Sequence, residues 1–357
     1  MKKKGKKEVG FFVALMIVLF AFSGSVMGAD KIKMMVSHQP EFESFLTWQG
    51  IEENVDEKYG LDLKMMYFDS GMLQVEALPA RTWDVGALGA VPMVMAALRY
   101  EAYMIGMTHD DADNVFVMSR PDSEVLSVKG FNPEYPDMYG SPEKVKGKTI
   151  LVTTVSAAHY VMSTWLKRLG LKDEDVKILN MEQGQAVAAF QSGKGDLVVL
   201  WAPFTMSGLS NGWKRVSTGV DCGAVLPLVI ITGKEYGDKN PEKVATFLKF
   251  YFDQVDRQIK EGQAQAKNYQ RFLTDWAGIE LSDEMIEMDI ELHPMYTLQR
   301  NIEMFDVSQG PSQAYKAMDD LSGFFTRNNR FSEKERQKVM NTPFITDRFL
   351  KMAAEMK

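Results

Sequence analysis

The chain has 357 residues, 45% of them hydrophobic, and it carries a formal net charge of −7 and a single cysteine. Beyond its first seven residues this acidic chain has no basic cluster, so it is expected to be a poor binder of nucleic acid or of anionic membranes. One cysteine excludes an intrachain disulfide. A hydrophobic core must therefore hold the fold unaided, and a chain of this length divides naturally into two domains.

The N-terminus has the pattern of a secretory signal peptide. Five lysines within the first seven residues precede an apolar run over residues 11–22, and small residues continue to Ala29. The run is shorter than the ~20 residues of a membrane-spanning helix, so we predict cleavage near Ala29 and release into the periplasm; an uncleaved membrane anchor is the alternative. Because Cys222 is the only cysteine, no lipid-modified cysteine can follow the signal. Removing residues 1–29 removes the five lysines and Glu8, and the formal charge falls from −7 to −11.

Strand patterns alternate with helical patterns in the part of the chain that follows, which predicts an α/β lobe. Pro92 suits the first turn of the helix after the third strand. The predicted strands cover residues 31–37, 61–68, 84–88, 101–107 and 115–119.

A segment rich in proline and glycine, residues 121–148, interrupts this alternation and predicts a crossing between lobes together with a surface loop. Beyond it, apolar runs at 148–153, 175–180 and 196–200 are separated by two helical patterns, as in a right-handed parallel α/β layer. Ligands bind such layers beyond the carboxyl ends of the strands. Ser156 stands at this end and can cap the next helix, so free backbone N–H groups and the positive end of the helix dipole should face a crevice.

The remainder of the chain predicts one more strand and then helices. Residues 225–231 form the strand pattern, and Asn240 is expected to cap a long amphipathic helix that should cover the first lobe. Ser332 and Glu335 have the spacing of a capping box. Beyond residue 260 only helical patterns are legible.

An ordered series of motifs lies within residues 146–204: Lys146-Gly-Lys-Thr-Ile, Ser156-Ala-Ala-His-Tyr160, Gln183 to Phe190 with Gln191-Ser-Gly193, Asp196, and Trp201-Ala-Pro-Phe204. This series resembles one segment of the solute-binding proteins of the nitrate, taurine and aliphatic-sulfonate ABC importers. The resemblance extends over residues 30–260, and it implies a two-lobed α/β fold of the type II periplasmic-binding-protein kind with a C-terminal helical extension. The implied lobes are 30–120 with 226–357, and 121–225.

The family holds its solute between the lobes, and the resemblance transfers that site to this chain. Val155 departs from the family, which usually has glycine there; valine resists positive φ, so the turn is expected to be less open. His159 could donate to a bound oxyanion or only close the lobe interface, and Trp201 could cover a small ligand or cap the core. Glu41 could meet an ammonium group, but exposure to solvent is the expectation. The candidate ligand-binding residues are His38, Gln39, Glu41, Ser70, Gly71, Met72, Leu88, Gly89, Ala90, Ser156, Ala157, Ala158, His159 and Trp201.

No catalytic, metal or cofactor site is predicted. Ser210 lies in a Gly-x-Ser-x-Gly pattern, but its neighbours indicate the end of a helix rather than the strand-to-helix turn of a hydrolase. The four histidines show no metal-ligand spacing, and residues 110–113 lack a calcium-loop pattern and are expected to form a solvated loop. Cys222 is expected to be a buried packing residue.

The sequence therefore favours the solute-binding component of an ABC importer that captures a small anionic or zwitterionic organic solute. It is expected to act as a monomer with permease and ATPase partners. Two alternatives stay open. Enzymes of menaquinone or thiamin-pyrimidine synthesis use the same bilobal fold, although the signal peptide argues against a cytoplasmic enzyme. An extracytoplasmic ligand sensor would need a separate signalling partner.

Overall fold

The computed structural model describes residues 31–327 and 331–356; the predicted signal peptide and its cleavage site lie outside the described residues. Within these residues, ten strands form two five-stranded sheets, one in each of two α/β lobes. The strands are β1 (Ile32–His38), β2 (Leu61–Tyr67), β3 (Val85–Gly89), β4 (Ala102–Asp110), β5 (Phe116–Ser119), β6 (Thr149–Val152), β7 (Lys177–Asn180), β8 (Leu197–Leu200), β9 (Lys214–Thr218) and β10 (Pro227–Gly233).

The two sheets share one plan. Their strand orders are β2-β1-β3-β10-β4 and β7-β6-β8-β5-β9. In each, three parallel strands adjoin an antiparallel strand that arrives from the other side of the lobe crossing. All four residues of β8 are buried, as expected for a strand covered on both faces.

Helices follow most strands, and the described part of the C-terminal region is mainly helical. Ser332 and Glu335 form the predicted capping box, whereas Asn240 makes no side-chain cap because its amide donates back to the carbonyl of Tyr236. The α-helices are α1 (Phe42–Glu52), α2 (Gly71–Ala77), α3 (Ala90–Arg99), α4 (Pro142–Val145), α5 (Ala157–Arg168), α6 (Gln183–Gln191), α7 (Phe204–Ser210), α8 (Lys234–Lys239), α9 (Pro241–Glu261), α10 (Ala266–Phe272), α11 (Asp283–Glu291), α12 (Leu298–Phe305), α13 (Gln313–Arg327), α14 (Glu333–Met340) and α15 (Arg348–Glu355).

The first lobe crossing comes earlier than the sequence predicted. Strand β5, assigned to the first lobe from the sequence, pairs with β8 and β9 in the second sheet. The crossing is therefore residues 111–115 rather than 121–148, and the predicted boundary at residue 120 is wrong. The reason is that β5 pairs with β9. Strand β9 begins with polar residues, so it lacks the apolar pattern by which the other strands were predicted.

The two crossing segments, residues 111–115 and 219–226, run side by side and hydrogen-bond to each other. The amide of Asp111 donates to the carbonyl of Leu226 at 2.9 Å, and the amide of Gly219 donates to that of Val115 at 3.1 Å. A Cβ at Gly219 would lie 2.5 Å from the carbonyl oxygen of Ala112, so only glycine permits this approach. The paired segments form one of the connections between the lobes.

The C-terminal helices join both lobes. Long helix α9 buries Val244, Leu248 and Tyr251 against the first lobe, as predicted. From α13, Phe324 packs edge-on against Tyr160 of the second lobe, with ring centroids 4.9 Å apart. Among the described residues, no helix is both long and apolar enough to cross a membrane.

Candidate functional site

A small cavity lies at the carboxyl ends of the central strands, between the two lobes. Its volume is about 20 Å³, which suits roughly one water molecule. The walls therefore stand close together, and this arrangement has no room for an organic solute. The lining residues are Gln39, Glu41, Gly71, Gly89, Pro92, Asp111, Ser156, Ala157, Trp201 and Leu228.

Half of the candidate residues from the sequence line this cavity. These are Gln39, Glu41, Gly71, Gly89, Ser156, Ala157 and Trp201. The other candidates lie outside its lining: His38, Ser70, Met72, Leu88, Ala90, Ala158 and His159.

Three lining residues were not among the candidates predicted from the sequence. Asp111 follows the end of β4, and a polar residue directly after a strand is a signal for a binding site. Its acidic neighbours, Asp110 and Asp113, instead suggested a solvated loop. Leu228 lies on β10, which runs antiparallel to β3 and so presents its amino end at this edge of the sheet. Pro92 was assigned only to a helix turn, although its ring reaches the space that a Cβ on Gly71 would occupy.

The N-termini of three helices meet at the cavity. Glu41, Gly89 and Ser156 are the residues that directly precede α1, α3 and α5, and all three line the cavity. The first N–H groups of a helix have no intrahelical partner, and the helix dipole places partial positive charge there. An oxyanion in the cavity would therefore meet a favourable potential from both lobes.

The turn before α5 adopts a backbone conformation that the sequence did not predict for valine. Val155 has φ +58°, a left-handed conformation that is an outlier for a β-branched residue. The amide of Thr154 donates to Oδ1 of Asn180 at 2.8 Å, and Oγ of Ser156 donates to the carbonyl of Thr153 at 2.6 Å. These bonds hold the turn in the open form that glycine would give, so the expectation of a less open turn is wrong.

The ring of His159 holds this turn and does not face the cavity. Its Nδ1 accepts from the amide of Val155 at 3.2 Å, which leaves the proton on Nε2 to be donated to the Asp173 carboxylate at 2.9 Å. Ser156 caps the helix as predicted, because its Oγ accepts from the amide of His159. With both ring nitrogens engaged, His159 is placed to position the turn rather than to bind an oxyanion.

His38 is likewise engaged behind the cavity. Its ring lies 2.9 Å from Oγ of Ser44 and 3.0 Å from Oγ1 of Thr47. The hydroxyl of Ser44 donates to Glu43, so it accepts from Nδ1–H of His38, and Nε2 accepts from Thr47. Burial lowers the pKa of His38 to about 3, and the neutral ring ties the end of β1 to α1.

One wall of the cavity is acidic. Glu41 is only 6% exposed and Asp111 only 7%, so the expectation of an exposed Glu41 is wrong. The expectation of a solvated acidic loop fails at Asp111, although Asp113 is exposed. Burial, followed by repulsion from Glu43 and Asp111, raises the pKa of Glu41 well above its usual range. A ligand cation beside Glu41 would relieve that repulsion and favour the carboxylate form.

Trp201 also lines the cavity. Its side chain is 3% exposed, and its Nε1–H has no hydrogen-bond partner among the described residues. Its backbone amide donates to Oε1 of Gln183 at 3.0 Å, and Gln183 in turn donates to Thr153 at the start of the turn. An indole N–H is therefore held at the cavity wall with its donor capacity free.

A larger depression of about 430 Å³ lies at the other end of the first sheet. Asp84 at the amino end of β3 and Gly233 at the far end of β10 line it. Because solutes of open α/β sheets bind at the carboxyl ends of the parallel strands, the smaller cavity between the lobes is the candidate site.

Comparisons with known proteins find relatives over most of the chain. The model of the NMT1-like family matches residues 49–261. A protein of Brachyspira hyodysenteriae named as an ABC transporter periplasmic binding protein is 27% identical over 310 residues, which cover 84% of this chain and 89% of the relative. The taurine-binding periplasmic protein of Escherichia coli is 27% identical over 239 residues, 66% of this chain and 69% of that protein.

The fold is that of solved solute-binding proteins. The alkanesulfonate-binding protein SsuA from Xanthomonas axonopodis pv. citri, solved with MOPS bound, superposes with a TM-score of 0.70 at 16% identity. The match covers 89% of this chain and 99% of SsuA. At this identity the likeness concerns the fold, and it confirms the predicted two-lobed periplasmic-binding-protein architecture with its helical C-terminal region.

Proposed function

Because the chain belongs to the NMT1-like family, we propose that it is the solute-binding component of an ABC importer and that it captures a small zwitterionic organic solute between its lobes. Relatives named for taurine and aliphatic sulfonates support this class of solute. The permease and ATPase of an importer are the implied partners. The names of the relatives also support a periplasmic location, which agrees with the signal-peptide pattern of the first 29 residues.

The observation that carries the proposal is the pairing of opposite electrostatic features around one cavity. Helix N-termini at Gly89 and Ser156 favour an oxyanion, whereas buried Glu41 and Asp111 favour a cation. A simple anion such as nitrate would meet the first feature but would leave the second without a cation. An aminosulfonate satisfies both, with its sulfonate at the helices and its ammonium at the carboxylates.

Capture requires a change in the distance between the lobes. The cavity of about 20 Å³ has no room for an organic solute, so binding begins from a more open arrangement. The paired crossing segments provide the hinge, and closure around the solute would exclude water and form a surface for the permease. The enzyme alternative gains no support from the lone thiol, because Cys222 is buried and burial raises its pKa to about 12.

The proposal is tested by calorimetry of the mature protein with taurine, ethanesulfonate and nitrate. Taurine should bind more tightly than ethanesulfonate, which lacks the ammonium group, by roughly 10- to 100-fold, the equivalent of one charge-assisted hydrogen bond. Glu41→Gln should abolish that preference while keeping the shape of the side chain. Glu43→Gln is the matched control, since Glu43 is an equally buried carboxyl outside the cavity lining. Equal affinity of the wild-type protein for taurine and ethanesulfonate would contradict the zwitterion proposal.

A further inference from the structure

Two histidines and an aspartate converge behind the acidic wall of the cavity. His109 lies on β4, Asp111 begins the first crossing, and His293 follows α11. Nε2 of His109 lies 3.4 Å from Oδ1 of Asp111, and Nε2 of His293 lies 3.9 Å from the same oxygen. The sequence showed no metal-ligand spacing among the histidines, yet the fold brings two of them together from distant parts of the chain.

The hydrogen bonds of both rings leave the Nε2 lone pairs pointing into this cluster. Nδ1 of His293 donates to the backbone carbonyl of Asp289 at 2.5 Å. The hydroxyl of Thr108 donates to the carbonyl of Leu228, so it accepts from Nδ1–H of His109 at 3.0 Å. Such bonds at the second ring nitrogen fix the tautomer of a metal-binding histidine.

Nε2 of His109 makes no hydrogen bond in the described part of the chain. His109 is also 0% exposed. An unpartnered polar atom at this depth is costly unless a ligand satisfies it.

The surrounding charge favours a cation. Asp289 is 0% exposed, and one of its carboxylate oxygens has no hydrogen-bond partner among the residues described. Asp111 and Asp289 have ion-pair contacts only with the two histidines in residues 31–327 and 331–356. Glu41 and Glu43 are also buried nearby, as their mutual repulsion with Asp111 indicates.

We propose that His109, His293 and Asp111 bind a divalent transition-metal cation such as Zn²⁺ through Nε2, Nε2 and Oδ1. The three ligand atoms lie within 4.8 Å of one another, and tetrahedral coordination at ~2.1 Å requires separations of about 3.4 Å, so small side-chain shifts complete the site. Imidazole ligands select Zn²⁺, Ni²⁺, Cu²⁺ or Fe²⁺ over Mg²⁺ and Ca²⁺, which prefer oxygen ligands. Three protein ligands leave a coordination position open, as in metal sites that also accept an exogenous ligand.

The site would couple the metal to the hinge. Asp111 belongs to the first crossing and also lines the solute cavity, whereas His293 belongs to the C-terminal helical region. A bound cation would tie these two parts together and neutralise charge on the acidic wall. The metal site stands independently of solute capture, because its ligands are argued from their own geometry.

The test measures metal alone, with no solute present. The full mature protein is stripped with a chelator, and Zn²⁺ binding is followed by calorimetry and by melting temperature, with Mg²⁺ and Ca²⁺ as comparison ions. One equivalent of Zn²⁺ should bind and raise the melting temperature by mass action, while Mg²⁺ and Ca²⁺ should not. His109→Gln and His293→Gln should each abolish this stoichiometric binding.

The chain offers matched controls, since its other two histidines are also buried but lie outside the cluster. His38→Gln and His159→Gln should retain one equivalent of Zn²⁺. Absence of stoichiometric binding to the wild-type protein, or its retention in both His109→Gln and His293→Gln, would overturn the proposal. If a cluster variant fails to fold, pulsed electron paramagnetic resonance of the Cu²⁺-loaded wild-type protein counts the bound imidazoles: two are expected, and none would overturn the assignment.

Discussion

The backbone amide of Val155 donates to Nδ1 of His159 over 3.2 Å, across the turn that leads into α5. Asp173 holds the other ring nitrogen at 2.9 Å, so the imidazole is fixed from both sides. The ring therefore fixes a valine in a left-handed conformation that its side chain opposes. Ser156 and Ala157, which line the cavity, directly follow this strained residue.

Val155→Gly should stabilise the protein. Left-handed backbone at a non-glycine residue costs of order 1–3 kcal/mol, and glycine removes that cost. Glycine loses more conformational entropy on folding, which costs about 0.5–1 kcal/mol. The partly buried side chain of Val155 offsets some of the gain, so we expect a net increase of about 1 kcal/mol in the free energy of unfolding, measured by urea denaturation.

Val155→Ala is the control for this prediction. Alanine loses the same packing but keeps the penalty for positive φ, so this variant should be less stable than the wild-type protein. If glycine and alanine destabilise to the same extent, packing rather than backbone strain determines the energy of the turn.

Trp201→Phe should weaken solute binding without weakening the fold. The substitution retains an aromatic ring at the cavity wall and removes Nε1–H, a buried donor without a partner among the described residues. If this N–H binds the solute, its loss should reduce affinity about tenfold, the equivalent of one hydrogen bond. The melting temperature of the solute-free protein should stay constant or rise, because an unsatisfied donor is removed. Unchanged calorimetric affinity for taurine would assign Trp201 to the core alone.

His38→Gln should reduce the sensitivity of the fold to acid. Burial lowers the pKa of His38 from 6.5 to about 3, so between these values the unfolded chain binds a proton that the folded chain excludes. Stability contributed by the neutral ring is thus complete above pH 6.5 and is lost as the pH falls toward 3. From pH 7 to pH 5 the wild-type protein should lose about 2 kcal/mol more than the variant, as measured by urea denaturation at both values. Parallel losses in the two proteins would contradict this role of His38.

Most of the fold was predictable from the sequence because each core strand has a recognisable local pattern of apolar residues. The run that became β8 is wholly buried and apolar, and Ser156 carries the signature of a helix cap that the structure confirms. Strand β9 was missed because it begins with two exposed basic residues, Lys214 and Arg215. Its pairing with β5 spans a long stretch of chain, so the lobe boundary depended on a contact that no local pattern records.

The candidate site was predictable only in part, for a related reason. Backbone positions such as Gly89 and Ala157 follow from where strands end and helices begin. The direction in which a side chain points does not: His159 turns away toward Asp173, while Glu41 turns inward and is buried. The convergence of His109 and His293 depends on the packing of the C-terminal region against β4, which only the three-dimensional structure reveals.

Ala157→Asp should abolish solute binding while leaving the fold intact. Ala157 is the first residue of α5 and lines the cavity. A carboxylate there would occupy the position proposed for the sulfonate and repel it, so affinity for taurine should fall by at least about 100-fold, the loss of two or more charge-assisted hydrogen bonds. The same charge suits the first turn of a helix, so the melting temperature should not fall. Gln299→Asp is the matched control, because it adds one carboxylate to the first turn of α12, outside the cavity. Normal taurine affinity in Ala157→Asp would exclude the N-terminus of α5 as the oxyanion site, whereas a parallel loss in Gln299→Asp would trace the effect to net charge.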